Sequence, residues 1–286
     1  MTPSMTPSMT ESPPTSTTAG VLRPEDFARH AQLERHEVAA DLAPWVENHW
    51  SLRWELPPGS SYVSSTLPHP ACNLSVERGH QREVIGDDPV VVTGVLTRRF
   101  DVTLRDTGWV HSVKFRPGGL TSLTGHPARE LRDATVPASS VFPAATTDAL
   151  RELGPGRSTE ECRRVFEDAL HALRAEPEPD YVTVLDVITQ MLEDRSLIRV
   201  AEVEERCSIG TRTLQRLFEK YVGVSPKWVL SRYRMHDVVT RLDEGYDGSL
   251  ADLAAEHGWF DQAHFTREFT ELVGVPPSAY LSATDE

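Results

Sequence analysis

A stretch of about thirty residues occurs twice in this chain. VAEVEERCSIGTRTLQRLFEKYVGVSPKWVL at 200–230 returns as LADLAAEHGWFDQAHFTREFTELVGVPPSAYL at 250–281. A repeat constrains the fold strongly, because both copies must be satisfied by the same local structure. Ala201 aligns with Ala251 and Val203 with Leu253, at an offset of 50 residues. After one inserted residue the offset becomes 51, and Leu214 aligns with Phe265, Arg216 with Arg267, Phe218 with Phe269 and Pro226 with Pro277. Two copies of this length are too few for a solenoid, which needs three or more to bury its core.

Each copy reads as a short helix, a tight turn and a second, amphipathic helix, the helix-turn-helix pattern. In the first copy Leu214, Leu217, Phe218 and Tyr221 fall at i, i+3, i+4 and i+7, one face of a helix. A small residue early in the first helix (Ala201, Ala251) is expected to let the second helix cross closely. A small residue at the turn (Ser208 or Gly210, and Gly258) is expected to take the bend. The opposite face carries Thr211, Arg212, Gln215 and Arg216 in one copy, with Lys220 further along, and Gln262, Ala263, Thr266 and Arg267 in the other. Arg pairs with guanine and Gln with adenine in bidentate fashion, while Thr and Ala suit the thymine methyl. A helical hairpin used only for packing has no need of such a face, and here it occurs twice. The helix expected at about 226–243 would span about 27 Å. That suits two reading helices in successive major grooves, roughly 34 Å apart.

Seven helices are expected beyond residue 180: about 181–194, 200–207, 210–221, 226–243, 249–257, 261–273 and one from Pro277. In the first, Val184, Ile188, Met191 and Leu192 face inward and Asp180 is the expected cap. Upstream the character changes. WVENHWSLRWEL (45–56), PVVVTGVLTRRFDVTL (89–104) and GWVHSVKFRPGG (108–119) favour strands. Helical patterns follow at Leu120–Leu123, 127–133 and, twice, within 144–175. The fold class is therefore α+β. A β-rich domain with trailing helices is expected over 21–175, a Glu-Pro-Glu-Pro-Asp linker at 176–180, and an all-α domain over 181–286.

The composition is globular, with 39% hydrophobic and 25% charged residues. The Ser/Thr/Pro-rich start, residues 1 to about 20, reads as a disordered tail rather than a secretory signal. No apolar run is long enough for a bilayer. Three scattered cysteines without a CxxC argue against a disulfide framework or zinc, and for buried thiols in a cytoplasmic protein. The net charge of −14 argues against a protein that coats nucleic acid or an anionic membrane. It leaves room for a local basic face.

Candidate chemistry in the N-terminal half is sparse. His49, His69, His80, His111 and His126 lack metal-ligand spacing. Trp45, Trp50, Trp54, Tyr62 and Trp109 either line an apolar pocket or, the favoured reading, fill the sheet core. Arg116-Pro117-Gly118-Gly119 is a sharp strand exit, more simply a turn than an anion site. Glu77, Arg78, Arg98 and Arg99 are placed by no periodicity. No catalytic triad, phosphate loop or carboxylate pair is visible, and no cofactor or metal is expected. A cysteine-transfer enzyme fused to DNA-binding helices would need a reactive thiol, and Cys72 in PHPACNLS has no flanking base.

The region from about 181 to 282 resembles the DNA-binding domain of the AraC/XylS family of bacterial transcription regulators. The residues that carry this are the two copies above, above all SLADLAAEHGWFDQAHFTREFTELVGVPPSAYL. The resemblance implies a sequence-specific regulator, not an enzyme, with two helix-turn-helix units joined by a rigid helix. It places Arg234 at the family's usual linking-helix arginine. It implies double-stranded DNA and RNA polymerase as partners, with a homodimer and a small-molecule effector as further candidates. The 40–140 region resembles, less specifically, a β-rich sensing or dimerisation domain of actinobacterial members. The departure is charge: residues 180–286 hold 11 Lys/Arg against 19 Asp/Glu. Cations are concentrated in the first unit (Arg212, Arg216, Lys220), whereas Arg267 faces Asp261, Glu268 and Glu271. The first unit is therefore expected to dominate binding.

Overall fold

The computed structural model describes residues 20–79, 88–173 and 175–282. Most of the expected tail and His80 lie outside the described residues. The N-terminal half is built on a six-stranded antiparallel sheet in the order β1-β2-β7-β4-β5-β8, with a separate two-stranded ribbon of β3 and β6. The strands are β1 (Ala31–His36), β2 (Val46–Glu55), β3 (Ser61–Thr66), β4 (Asn73–Arg78), β5 (Val90–Thr93), β6 (Phe100–Arg105), β7 (Thr107–Phe115) and β8 (Thr135–Pro137). A short helix α1 (Pro24–Ala28) precedes them, α2 (Gly119–Thr124) lies between β7 and β8, and α3 (Ala144–Arg151) and α4 (Thr159–His171) follow.

The strand-favouring run 89–104 holds two strands. β5 is buried along its whole length in the six-stranded sheet, while β6 leaves to join the ribbon. The break falls at Gly94, where a Cβ would sit 1.8 Å from the Leu131 carbonyl oxygen, so the chain must turn away. The 127–133 helix is a single tight turn over Ala128–Leu131.

Alternation splits the sheet into two faces. His49, His111, Val113 and Phe115 point to one face and meet Phe166 of α4 and Phe142. Asn48, Trp50, Leu52, Ser75 and Lys114 point to the other, toward the ribbon.

The C-terminal half is helical: α5 (Pro179–Glu193), α6 (Val200–Arg206), α7 (Thr211–Tyr221), α8 (Pro226–Asp243), α9 (Leu250–Glu256), α10 (Gln262–Val273) and α11 (Pro277–Ser282). Val184, Ile188, Met191 and Leu192 are buried as expected. The cap of α5 differs from the expectation. Glu178 occupies that position, because Pro179 has its φ set for the first helical residue and no N–H to satisfy. Asp180 is therefore in the first turn, with its carboxylate free to reach sideways.

The core is not divided where the sequence is. One continuous apolar cluster runs from the sheet (Val113, Phe115) through Leu120 and Tyr181 to Leu214 and Phe218 of α7. A second cluster holds Val238 and Leu242 of α8 with Trp259, Phe265, Phe269 and Tyr280. Hydrogen bonds cross between the halves as well. The Tyr181 hydroxyl donates to the Pro44 carbonyl at 2.7 Å, and the Arg23 amide donates to the Tyr280 hydroxyl at 3.1 Å. The Arg99 guanidinium donates to the Val273 carbonyl.

Candidate nucleic-acid interface

The two repeats fold alike. In the first, the backbone N–H groups of Ser208 and Ile209 close onto Glu205 and Glu204; in the second, those of Gly258 and Trp259 close onto Ala255 and Ala254. The turn positions are Ser208 at φ 51 and Gly258 at φ 75, both left-handed. Ser208, not Gly210, is thus the counterpart of Gly258. Gly258 has a steric reason as well: a Cβ there would lie 2.5 Å from Cγ2 of Ile198. The expected role of Ala201 and Ala251 is not seen, since both are exposed. Val203, and Leu253 with Ala254, are the buried residues of α6 and α9.

The second helices bury the predicted stripes, Leu214, Leu217, Phe218 and Tyr221 in α7 and Phe265, Phe269, Leu272 and Val273 in α10. Asp261 caps α10 by accepting from the His264 amide at 2.7 Å, and Ser225 caps α8 by accepting from the Trp228 amide at 3.2 Å. On the opposite face Thr211, Arg212, Gln215, Arg216 and Lys220 are exposed in α7, and Gln262, Ala263 and Arg267 in α10, with Thr266 half-buried. Gln262, Ala263, Thr266 and Arg267 share a shallow groove with Thr270 and Glu271.

Two of the cations of α7, Arg216 and Lys220, have partners within the chain. Arg216 Nη1 lies 3.2 Å from Asp180 Oδ2, and Lys220 Nζ lies 3.0 Å from Glu178 Oε2. The Tyr221 hydroxyl also donates to Glu178. Those hydrogen bonds, Tyr221 first and then Lys220, hold the Glu178 carboxyl below the usual carboxylate range. Thr211 Oγ1 donates to Glu204 at 2.9 Å. Arg234 is set apart from the exposed faces. Its guanidinium stacks over the Trp259 ring at 4.7 Å and donates to the His257 and Gly258 carbonyls at 3.3 Å. It fastens α8 to the turn of the second unit, a contact the sequence pattern did not signal.

The N-terminal candidates divide. Trp45 and Trp109 fill the core. Trp50 and Trp54 line a cavity of about 240 Å³ between the sheet and the ribbon, together with Leu52, Leu104, Lys114 and His69. Tyr62 lies outside that lining and stacks on His30 at 4.2 Å. The His69 ring packs on His236 of α8 at 4.3 Å, and His236 Nε2 lies 3.1 Å from the Pro68 carbonyl oxygen. His49 and His111 meet across 3.4 Å in the sheet core, where burial pushes their pKa values down to about 3 and about 4. Among the described residues no group of three metal-ligating side chains occurs. Arg116 closes a plain turn: its guanidinium Nε donates to the Ala43 carbonyl at 2.6 Å, and the Gly119 amide donates to Arg116 O at 2.7 Å. Cys72 is buried, and burial pushes its thiol up to about 12, the opposite of the lowering that activates a transferring thiol. No helix among the described residues is long and apolar enough to cross a membrane.

Comparison with known proteins bears on both halves. Residues 204–283 match the family described as helix-turn-helix domain, and residues 34–137 match a domain of unknown function (DUF6597). The uncharacterized HTH-type transcriptional regulator YidL of Escherichia coli (strain K12) is 31% identical over 87 residues, covering 30% of this chain and 29% of the relative. The HTH-type transcriptional regulator ExsA of Pseudomonas aeruginosa is 28% identical over 89 residues, covering 31% of each. The chain thus spans less than a third of the length of these relatives. The structure of ToxT from Vibrio cholerae aligns over 88% of this chain and 98% of its own, at 12% identity and a TM-score of 0.38. That score is too low to carry over architecture or ligand.

Proposed function

We propose that this chain, whose residues 204–283 match a helix-turn-helix domain family, is a sequence-specific, DNA-binding transcription regulator of the AraC type. The observation that carries the proposal is the pair of like-folded units, each with an exposed polar face on its second helix, joined by one 18-residue helix. α8 is about 27 Å long, which suits reading helices in successive major grooves about 34 Å apart. Arg212, Arg216 and Arg267 are assigned to guanine, Gln215 and Gln262 to adenine, and Thr211, Ala263 and Thr266 to thymine methyls. Lys220 is assigned to phosphate. Arg234 is a positioning residue that holds the second unit in register with α8.

The N-terminal domain, over 21–175 under this reading, modulates that activity by taking a small, largely apolar molecule in the cavity between sheet and ribbon. His69 supports this, because it lines the cavity and packs on α8, the helix that spaces the two readers. RNA polymerase and a second copy of the chain are further partners on the strength of the domain family alone, and the cytoplasm is the setting.

The test is selection of bound fragments from a genomic DNA pool at two salt concentrations. One enriched motif with two half-sites about one helical turn apart is expected, and no enrichment at low salt overturns the proposal. A thermal-shift panel of small molecules tests the cavity, since a ligand of the native state raises the melting temperature.

A further inference from the structure

The second unit contains one residue that the first lacks. In both copies the turn closes through matching backbone hydrogen bonds, up to Ile209 and up to Trp259. Gly210 then occupies the cap position of α7, whereas Asp261 occupies that of α10. The extra residue between Trp259 and Asp261 is Phe260. Both neighbours are held: Trp259 is 5% exposed and its ring N–H donates to Glu268, and Asp261 is the cap. Phe260 itself is 94% exposed, against 55% for Val63 and 43% for Val182, the other exposed large hydrophobics among the described residues. Water around an entire phenyl ring is unfavourable, and the contacts of Trp259 and Asp261 fix the backbone on either side of it.

We propose that Phe260 reads DNA by packing its ring on the 5-methyl group of a thymine in the major groove, beside the bases read by Gln262 and Ala263. This rests on the DNA-binding reading above and adds a contact to it. The ring stands at the entry of α10, and residues at the start of a reading helix are those that approach base edges. Phe is among the side chains suited to the thymine methyl. The electrostatics of α10 favour such a contact. Arg267 is its single Lys or Arg, while Asp261, Glu268 and Glu271 lie on or beside it, so an added contact that needs no cation suits this unit. Ala263 and Thr266 continue the methyl-compatible surface.

The experiment uses the full chain and the best duplex from the selection, with fluorescence anisotropy at fixed salt. Each thymine is replaced in turn by deoxyuridine, which removes only the methyl group. Phe260→Ala is expected to weaken binding about tenfold, within the range of one mismatched base pair, with an unchanged salt slope. One thymine replacement should weaken the wild type similarly and have no further effect on Phe260→Ala. Phe260→Leu, which keeps an apolar contact, should fall between, and all three proteins should melt alike. Undiminished binding by Phe260→Ala, or equal sensitivity to every replacement in both proteins, overturns the proposal. Loss of self-association in Phe260→Ala with DNA binding intact assigns the ring to a second copy instead. If the wild type enriches no motif, the DNA-binding reading falls and this contact falls with it.

Discussion

Two acidic residues at the start of α5 occupy cations that DNA would also need. Glu178 and Asp180 lie 42 and 36 residues from Lys220 and Arg216, yet hold them at 3.0 and 3.2 Å. All four side chains are about half exposed, at 51% and 47% for the acids and 47% and 58% for the cations. An exposed pair of this kind contributes about 0.2–1 kcal/mol, so the two together contribute about 0.4–2 kcal/mol. If DNA must displace them, that energy is subtracted from binding. The double variant Glu178→Gln, Asp180→Asn should therefore bind the selected duplex about twofold to thirtyfold more tightly. Salt screens exposed charges, so the gain should be largest at low ionic strength and shrink toward one at high salt. Fluorescence anisotropy at two salt concentrations measures it. A control that neutralises exposed Glu37 and Asp247 separates this local effect from the change in net charge. Equal or weaker binding by the double variant at both salts, or an equal gain in the control, would refute the reasoning. The same pairs also help dock α7, so the double variant should melt slightly earlier while binding better.

Four further outcomes follow from the sequence and the geometry. Arg216→Ala should weaken operator binding more than Arg267→Ala, because Arg216 shares its helix with two further cations whereas Arg267 is the single Lys or Arg of α10; equal losses in a footprint titration would contradict this. Gly258→Ala should destabilise the chain by about 1–3 kcal/mol in denaturant melts, since it combines a left-handed backbone with a 2.5 Å clash against Ile198. Ser208→Gly should change stability by less than about 1 kcal/mol, because Gly's relief at φ 51 is offset by its chain entropy. Burial pushes the pKa of His236 down to about 3 from its ordinary 6.5. The unfolded chain therefore takes up that proton first: the stability His236 contributes is complete above pH about 6.5 and is lost as pH falls below it. His236→Gln keeps a donor for the Pro68 carbonyl, and should flatten the stability profile between pH 6.5 and 5 by about 1.4 kcal/mol per pH unit. An unchanged slope in chemical denaturation at stepped pH would show that the ring does not titrate on unfolding.

The helical half was legible because its signal is local. Apolar residues at helical spacing predict α7 and α10, and Ser225-Pro226 with Gly245 bound α8 at its observed ends. The sheet was harder to read. β1, β3, β4 and β8 were not anticipated, because they are short runs such as AQLERH and NLSVER whose strand character comes from distant partners. β4 is a strand because β7 and β5 flank it, which no window around residue 75 reveals. The reading faces were visible as polar stripes. The Glu178 and Asp180 pairs were not, since they depend on how α5 lies across α7. Arg234 is placed on the linking helix by the family resemblance, but its stacking on Trp259 is a tertiary fact. Phe260 was visible only as a gap in the alignment of the two copies.

The merged core separates the fates of two segments that began as duplicates. The first copy contributes Leu214 and Phe218 to the same apolar mass as the sheet, whereas the second packs around Trp259 and Phe269 in a smaller cluster that takes in Leu22 and Leu67 from the N-terminal half. A chimera that exchanges the second copy for that of another regulator would disturb one small nucleus and the Arg23 and Arg99 contacts. The same exchange at the first copy would cut into the foundation of the β-rich half. Substitution is therefore freer at the distal copy, while the proximal copy is constrained by its second role as structural floor.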